Sequence, residues 1–131
     1  MMSIARKVLI VDDDPAIVMS VEFLLRKVGY EVFIALSGTE AIVKIKQHEP
    51  ELILLDIMMP DVNGYEVCDF VKQSEVYKHI KVIFISAKSK DEDIKLAYSK
   101  GADLFIIKPF STRRLIEKIT ALNKEDYKTI K

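Results

Sequence analysis

Net charge is the first thing this chain lacks: Lys and Arg together number 20, and so do Asp and Glu. The composition therefore gives no reason to expect direct nucleic-acid binding or attraction to an anionic membrane, and any electrostatic function must be local. Cysteine is almost missing as well, and Cys68 alone cannot form an internal disulfide. No apolar run approaches the roughly 20 residues that span a bilayer. The short segment at Met1 leads straight into a strand-like run without a signal-peptide cleavage site, so the expected location is cytoplasmic. With only four glycines there is no Gly-rich phosphate loop, which sets aside flavin and dinucleotide modules. Internal repeats, low-complexity tracts and linkers are also lacking. What remains is 131 residues, half of them apolar, enough for one domain with a proper core and too few for two.

Strand-like runs recur near residues 7–12, 31–35, 51–56, 81–86 and 103–107. Each is apolar at consecutive positions instead of alternating, as expected for strands covered on both faces. Amphipathic segments lie between them. Asp14-Pro15 offers an N-cap and a first-turn proline, Ser37-x-x-Glu40 and Ser89-x-x-Glu92 read as capping boxes, and Asn63 with Glu66 repeats the logic more weakly. Gly29 and Gly101 mark helix ends. Ile17, Val21, Leu24, Leu25 and Val28 form the core stripe of the first helix, and Leu115, Ile119 and Leu122 that of the last. Five strands alternating with five helices predict an α/β fold, a doubly wound open parallel sheet with right-handed crossovers and helices on both faces. Residues 1–122 are expected to form the domain, and 123–131 a polar tail, either a helix end or the start of a linker.

Four strand runs end in groups that are costly to bury. Val8-Leu9-Ile10-Val11 runs into Asp12-Asp13-Asp14, Leu52-Ile53-Leu54-Leu55 into Asp56, Val82-Ile83-Phe84-Ile85 into Ser86, and Leu104-Phe105-Ile106-Ile107 into Lys108-Pro109. In open parallel sheets, ligands bind outside the C-terminal strand ends, where strand order reverses. Three carboxylates gathered there, Asp12, Asp13 and Asp56, need a counter-charge to stay ionised together. A divalent, oxygen-seeking cation supplies one, and Mg²⁺ favours one or two carboxylates completed by water and phosphate oxygens. The Lys108 ammonium suits a phosphoryl oxygen and Ser86 adds a hydrogen bond. These parts fit phosphoryl transfer onto a carboxylate, with Asp56, alone at its strand end, as nucleophile and the Asp12-Asp13 pair holding metal.

The same residues carry a resemblance. Val11-Asp12-Asp13-Asp14-Pro15, Leu54-Leu55-Asp56-Ile57-Met58-Met59-Pro60-Asp61-x-Asn63-Gly64, Ile85-Ser86-Ala87 and Lys108-Pro109-Phe110, in this order, resemble the receiver domain of two-component response regulators from about Lys7 to Leu122. The resemblance implies a flavodoxin-like receiver fold with strand order 2-1-3-4-5. It also implies an aspartyl phosphate at Asp56, donated by a histidine kinase or a histidine phosphotransfer protein in the presence of Mg²⁺. By position, Asp13, Asp56 and the backbone carbonyl of Met58 resemble the metal ligands, with Asp12 acting largely through water. Ser86 and Lys108 resemble the groups that hold the phosphoryl group, and the Lys108-Pro109 bond resembles one that is cis.

The family's switch pair maps to Ser86 and Phe105, where many members have Thr and Tyr, so Phe105 has no hydroxyl to offer a partner. In the family, the residues two beyond the aspartate and two beyond the hydroxyl gate the attacking water. Here they are Met58, which cannot orient water and implies slow self-dephosphorylation, and Lys88, which can shield the phosphate. Met19 and Phe23 on the first helix are either a docking patch for the kinase or phosphotransfer helices or a contact with the last helix. Lys90, Lys95, Lys100, Arg113, Arg114 and Lys118 mark the helix 4, strand 5 and helix 5 region, which the family uses for output partners or homodimers. Plainer readings fit other residues: Asp14 as a helix cap, Asp61 as a turn residue, His48 and His79 as solvated, and Cys68 as core. The expected role is a signalling switch instead of an enzyme acting on a separate metabolite. The competing readings are a phosphorylation-independent adaptor and, through Asp12-x-Asp14, an aspartate-based phosphatase of the haloacid dehalogenase type.

Overall fold

The computed structural model describes residues 6–130, with side chains described over residues 6–123. The elements alternate as β1 (Lys7–Val11), α1 (Pro15–Lys27), β2 (Glu31–Ala35), α2 (Gly38–His48), β3 (Leu52–Leu55), α3 (Gly64–Lys72), β4 (Lys81–Ser86), α4 (Asp91–Ser99), β5 (Leu104–Ile107) and α5 (Thr112–Ile130). All strand pairs are parallel and the sheet runs β2-β1-β3-β4-β5, the expected order. The polar segment from residue 123 continues α5 as far as Ile130, and Lys131 lies outside the described residues. Among the described residues no helix is long and apolar enough to cross a membrane.

The consecutive apolar strand residues divide between two cores because successive side chains point to opposite faces. Leu9, Val11, Ile53, Leu55 and Phe84 pack under α2, α3 and α4 through Ala41, Ile45, Val67, Val71 and Ala97. Val8, Ile10, Leu54, Ile83 and Ile85 pack under α1 and α5 through Val18, Val21, Leu25, Leu115 and Ile119. Cys68 belongs to the first core, where burial pushes its thiol up to about 11, so it is a packing residue. Val28 departs from the expected stripe of α1. It is the C-cap residue, half exposed, because the chain turns at Gly29, whose φ of +102° ends the helix.

The helix starts correct three readings. Asn63 makes the complete capping box, its side chain accepting from the Glu66 N–H at 3.0 Å while Glu66 accepts from the Asn63 N–H at 3.4 Å. Ser37 caps α2 through the Glu40 N–H, but the Glu40 carboxylate reaches one residue further, to the Leu36 N–H at 2.7 Å. The box expected at Ser89 and Glu92 is displaced by one residue: α4 starts at Asp91, Lys90 is the N-cap, and Asp93 accepts its N–H at 3.0 Å. The shorter Asp93 side chain sits at the third helical position, from which a carboxylate reaches back to the cap. His48 is not free in solvent either; its ring stacks on Phe33 with centroids 3.9 Å apart.

Asp61 does more than turn the chain. Its two carboxylate oxygens accept the N–H groups of Gly38 at 3.1 Å and Thr39 at 3.2 Å, closing the start of α2 from a loop more than twenty residues away. A side chain on Gly38 would meet the Val62 carbonyl, so that glycine lets the loop approach. The Thr39 hydroxyl, then the N–H groups of Val62, Thr39 and Gly38, hold the Asp61 carboxyl at about 2, below its ordinary 3.8. A depressed folded pKa stabilises above the unfolded value and is lost as pH falls through the folded one. Acid titration of the melting temperature should therefore show the native chain losing an advantage over Asp61→Asn between about pH 4 and pH 2. Parallel curves for the two proteins would remove this role.

Candidate functional site

The register brings the strand ends level: Val11 pairs with Leu55, Leu55 with Phe84, and Ser86 with Ile107. Asp12, Asp56, Ser86 and Lys108 therefore emerge side by side. The backbone holds each in place. The Asp56 N–H donates to the Val11 carbonyl at 3.0 Å, the Asp12 N–H to the Ala35 carbonyl at 3.2 Å, and the Lys108 N–H to the Ser86 carbonyl at 3.0 Å. The Lys108–Pro109 bond is cis, as the resemblance implied.

Asp12, Asp56 and Ser86 are buried, while Asp13 is exposed at the rim. Asp12 is fixed at both oxygens, accepting the Asp14 N–H at 2.9 Å and the Lys108 ammonium at 2.9 Å. Asp56 accepts the N–H of Ile57 at 2.9 Å through one oxygen and faces the Lys108 ammonium at 3.7 Å through the other. One lysine thus bridges two buried carboxylates. Asp14 is the cap of α1, accepting the Ala16 N–H. Met58, two residues beyond Asp56, is 62% exposed at the lip of the site.

Burial raises the pKa of Asp56. The Lys108 charge, the Ile57 N–H and the Ser86 hydroxyl oppose that rise, and the charge of Asp12 adds to it. Burial pulls Lys108 down, but its hydrogen bond to Asp12 and the charges of Asp56, Asp12 and Asp14 outweigh this, and its pKa is raised. The ammonium is kept charged while the carboxylate it faces is poorly solvated. Asp12, Asp13 and Asp56 each place one oxygen within 4.8 Å of the others. Three carboxylates against one ammonium leave negative charge uncompensated, and the donors are all hard oxygens, so the site fits a small divalent cation such as Mg²⁺. An oxyanion approaching Asp56 would meet that cation and Lys108, an arrangement able to support attack by a carboxylate on a phosphoryl group.

Around this centre lie residues that the strand-end argument did not single out. The Ser86 hydroxyl accepts the Lys88 N–H at 3.0 Å, and the Lys88 ammonium lies 3.3 Å from Asp93. Phe105 is half-buried, its ring stacked on Phe84 with centroids 6.1 Å apart, and its N–H donates to the Tyr98 hydroxyl at 3.1 Å. Tyr98 thus brings a hydroxyl to the β5 edge that Phe105 does not have. Met19 and Phe23 are each 70% exposed on α1, so neither is buried against α5, and Thr112 at the start of α5 lines the same surface depression. A groove of about 290 Å³ between Ile17, Ser20, Ala87, Lys108 and Phe110 joins that face to the site.

The sequence matches the model of the response regulator receiver domain over residues 8–120. Similar solved structures include a CheY-like response regulator receiver domain protein from Methanospirillum hungatei JF-1, 34% identical over 96% of this chain and 99% of that one, with a TM-score of 0.90. Chemotaxis protein CheY4 of Vibrio cholerae is 29% identical over 90% of this chain and 98% of its own, with a TM-score of 0.85. DrrB of Thermotoga maritima, an OmpR/PhoB homologue, is 28% identical over 94% of this chain but only 54% of its own, with a TM-score of 0.84.

Proposed function

Since this chain belongs to the response regulator receiver domain family, we propose that it is a phospho-accepting switch of two-component signalling whose acceptor is Asp56. Membership implies phosphoacceptor signalling and a switch instead of an enzyme acting on a separate metabolite. The assignment to Asp56 rests chiefly on one observation: a buried carboxylate of raised pKa facing the Lys108 ammonium at 3.7 Å, among three carboxylates drawn together at one sheet edge.

In this reading an Asp56 oxygen attacks the phosphorus of a phosphohistidine in line. The bond from phosphorus to the imidazole nitrogen breaks, and the imidazole leaves with the electron pair and takes up a proton. Lys108 balances charge on the phosphoryl oxygens and Ser86 donates a hydrogen bond to one of them. Asp12, Asp13, Asp56 and the Met58 backbone carbonyl would hold Mg²⁺, which supplies charge neutralisation at the same oxygens. The donor is a histidine kinase or histidine phosphotransfer protein, docking on the exposed Met19 and Phe23 face of α1. Exposed Leu96, Tyr98 and Ile107 give the α4-β5-α5 surface an apolar centre for an output partner or a second copy. Residues 1–122 are the receiver unit and 123–131 its polar extension.

Intact mass after incubation with acetyl phosphate and Mg²⁺ should rise by one phosphoryl group, and chelation of the metal should prevent the rise. A folded chain that gains nothing would instead favour a phosphorylation-independent adaptor. The metal site has its own test. At about 100 times the dissociation constant, Mg²⁺ should stabilise the native chain by about 2–3 kcal/mol, through preferential binding to the folded state. Asp13→Asn should lose most of that thermal shift, and an equal shift in both proteins would remove Asp13 from the ligand set.

A further inference from the structure

Lys88 is tied at its two ends to different parts of the molecule. Its N–H donates to the Ser86 hydroxyl at 3.0 Å, next to Asp56, while its ammonium lies 3.3 Å from an Asp93 oxygen at the start of α4. The two partners of this ion pair differ in freedom. Asp93 is 6% exposed; its other oxygen accepts the Lys90 N–H at 3.0 Å, and its carbonyl accepts the hydroxyl of Tyr65, whose ring packs against Phe84. The Lys88 side chain is 46% exposed on a flexible stem. If the pair separates, it is the ammonium that moves.

A phosphoryl group on Asp56 would put about one and a half to two negative charges beside Ser86 in place of the single charge of the carboxylate. Lys88 would then stand between two anions, with the second carrying more charge than the carboxylate that holds it. The Ser86 hydroxyl can accept the Lys88 N–H and donate its own proton to a phosphoryl oxygen at once, which keeps the start of the Lys88 side chain beside the phosphoryl group. Resting on the reading of Asp56 as phosphoacceptor, we propose that Asp93 is a positioning residue that holds the Lys88 ammonium at α4 in the unphosphorylated protein and yields it to the phosphoryl group. One cation is then shared between two tasks. At the phosphoryl group it blocks the approach of water; at Asp93 it anchors the first turn of α4. Its transfer links the lifetime of the phosphoryl group to the hold on α4.

The test is the decay of phosphorylated protein in four forms: native, Asp93→Asn, Lys88→Ala and the double variant. Asn at position 93 keeps an acceptor for the Lys90 N–H but gives up the charge that competes for Lys88. Asp93→Asn should lengthen the phosphoryl half-life by about 3- to 10-fold, and Lys88→Ala should shorten it comparably, as for coupled charged neighbours. In the double variant the half-life should equal that of Lys88→Ala, because Asp93 acts only through Lys88. An unchanged half-life in Asp93→Asn, or a lengthening that persists without Lys88, overturns the proposal. If the native chain takes up no phosphoryl group at all, the phosphoacceptor reading itself has failed, and this is seen before any decay is followed. Should Asp93→Asn not fold, the native chain still answers: the Lys88 Cε resonance should shift on adding Mg²⁺ with beryllofluoride. A resonance that stays in place while Asp56 is occupied overturns the proposal equally.

Discussion

Asp56→Asn should abolish phosphoryl uptake completely and at the same time raise the melting temperature at neutral pH. The first effect follows because an amide cannot form the acyl phosphate, and Asp12, already bonded at both oxygens, is not placed to substitute. The second follows from electrostatics. Burial, reinforced by Asp12, outweighs Lys108 and raises the folded pKa of Asp56 above 3.8. A carboxyl group shifted in that direction favours folding only below its unfolded pKa, and the advantage is lost as pH rises through the folded value. At pH 7 the charged group therefore weakens the fold, and the neutral amide relieves this. The gain should be about 1 kcal/mol, the usual scale for removing a functional but unfavourable group. Lys108 remains charged in the variant because its closer partner is Asp12 at 2.9 Å. Thermal melts at pH 7 and pH 4 check the sign: the difference between native and variant should shrink on acidification. A variant less stable than the native chain at pH 7 would contradict this account of Asp56.

Gly64→Ala should be the most damaging single methyl group near the site. Gly64 opens α3 directly against β3, its N–H donating to the Ile57 carbonyl at 2.9 Å. A Cβ there would meet the carbonyl oxygen of Asp56 and lie 2.9 Å from the Ile57 Cα. Both are backbone atoms, so no side-chain rotation relieves the clash; either α3 moves outward or the segment carrying Asp56 shifts. Overpacking of this kind costs about 1–3 kcal/mol, and the backbone contacts place this case at the upper end. A displacement of Asp56 by about 1 Å misaligns it with the donor phosphorus, so phosphorylation should slow by up to about 100-fold. Stability and phosphorylation rate measured on the same protein separate the two effects. A variant that keeps both would show that the α3 start does not position Asp56.

The sheet and its reactive edge were legible in the sequence because both depend on local pattern. Apolar runs such as Leu52-Ile53-Leu54-Leu55 mark doubly covered strands, and a polar group ending each run sits at the strand exit whatever the remaining chain does. Asp56, Asp12 and Lys108 were singled out for that reason, and the register puts them together. What escaped depends on separations that no local pattern carries. Asp61 reads as a turn residue until β3 and α2 lie together and its carboxylate meets Gly38 and Thr39. The Tyr98 hydroxyl reaches the Phe105 N–H only because α4 packs against the β5 edge. The start of α4 was misplaced because two overlapping patterns, Ser89 with Glu92 and Lys90 with Asp93, differ by one residue. Local sequence prefers the serine as a cap, whereas the buried Asp93, held by Lys88 and the Lys90 N–H, fixes the other frame.

The central claim is that Asp56 itself carries the phosphoryl group, and borohydride trapping tests it most directly. Reduction of an aspartyl phosphate leaves homoserine at the modified position, which peptide mass analysis locates. After incubation with acetyl phosphate and Mg²⁺, homoserine is predicted at position 56 of the native chain and nowhere in Asp56→Asn. Homoserine at position 12 or 13, or a folded native chain left unmodified, would contradict the account.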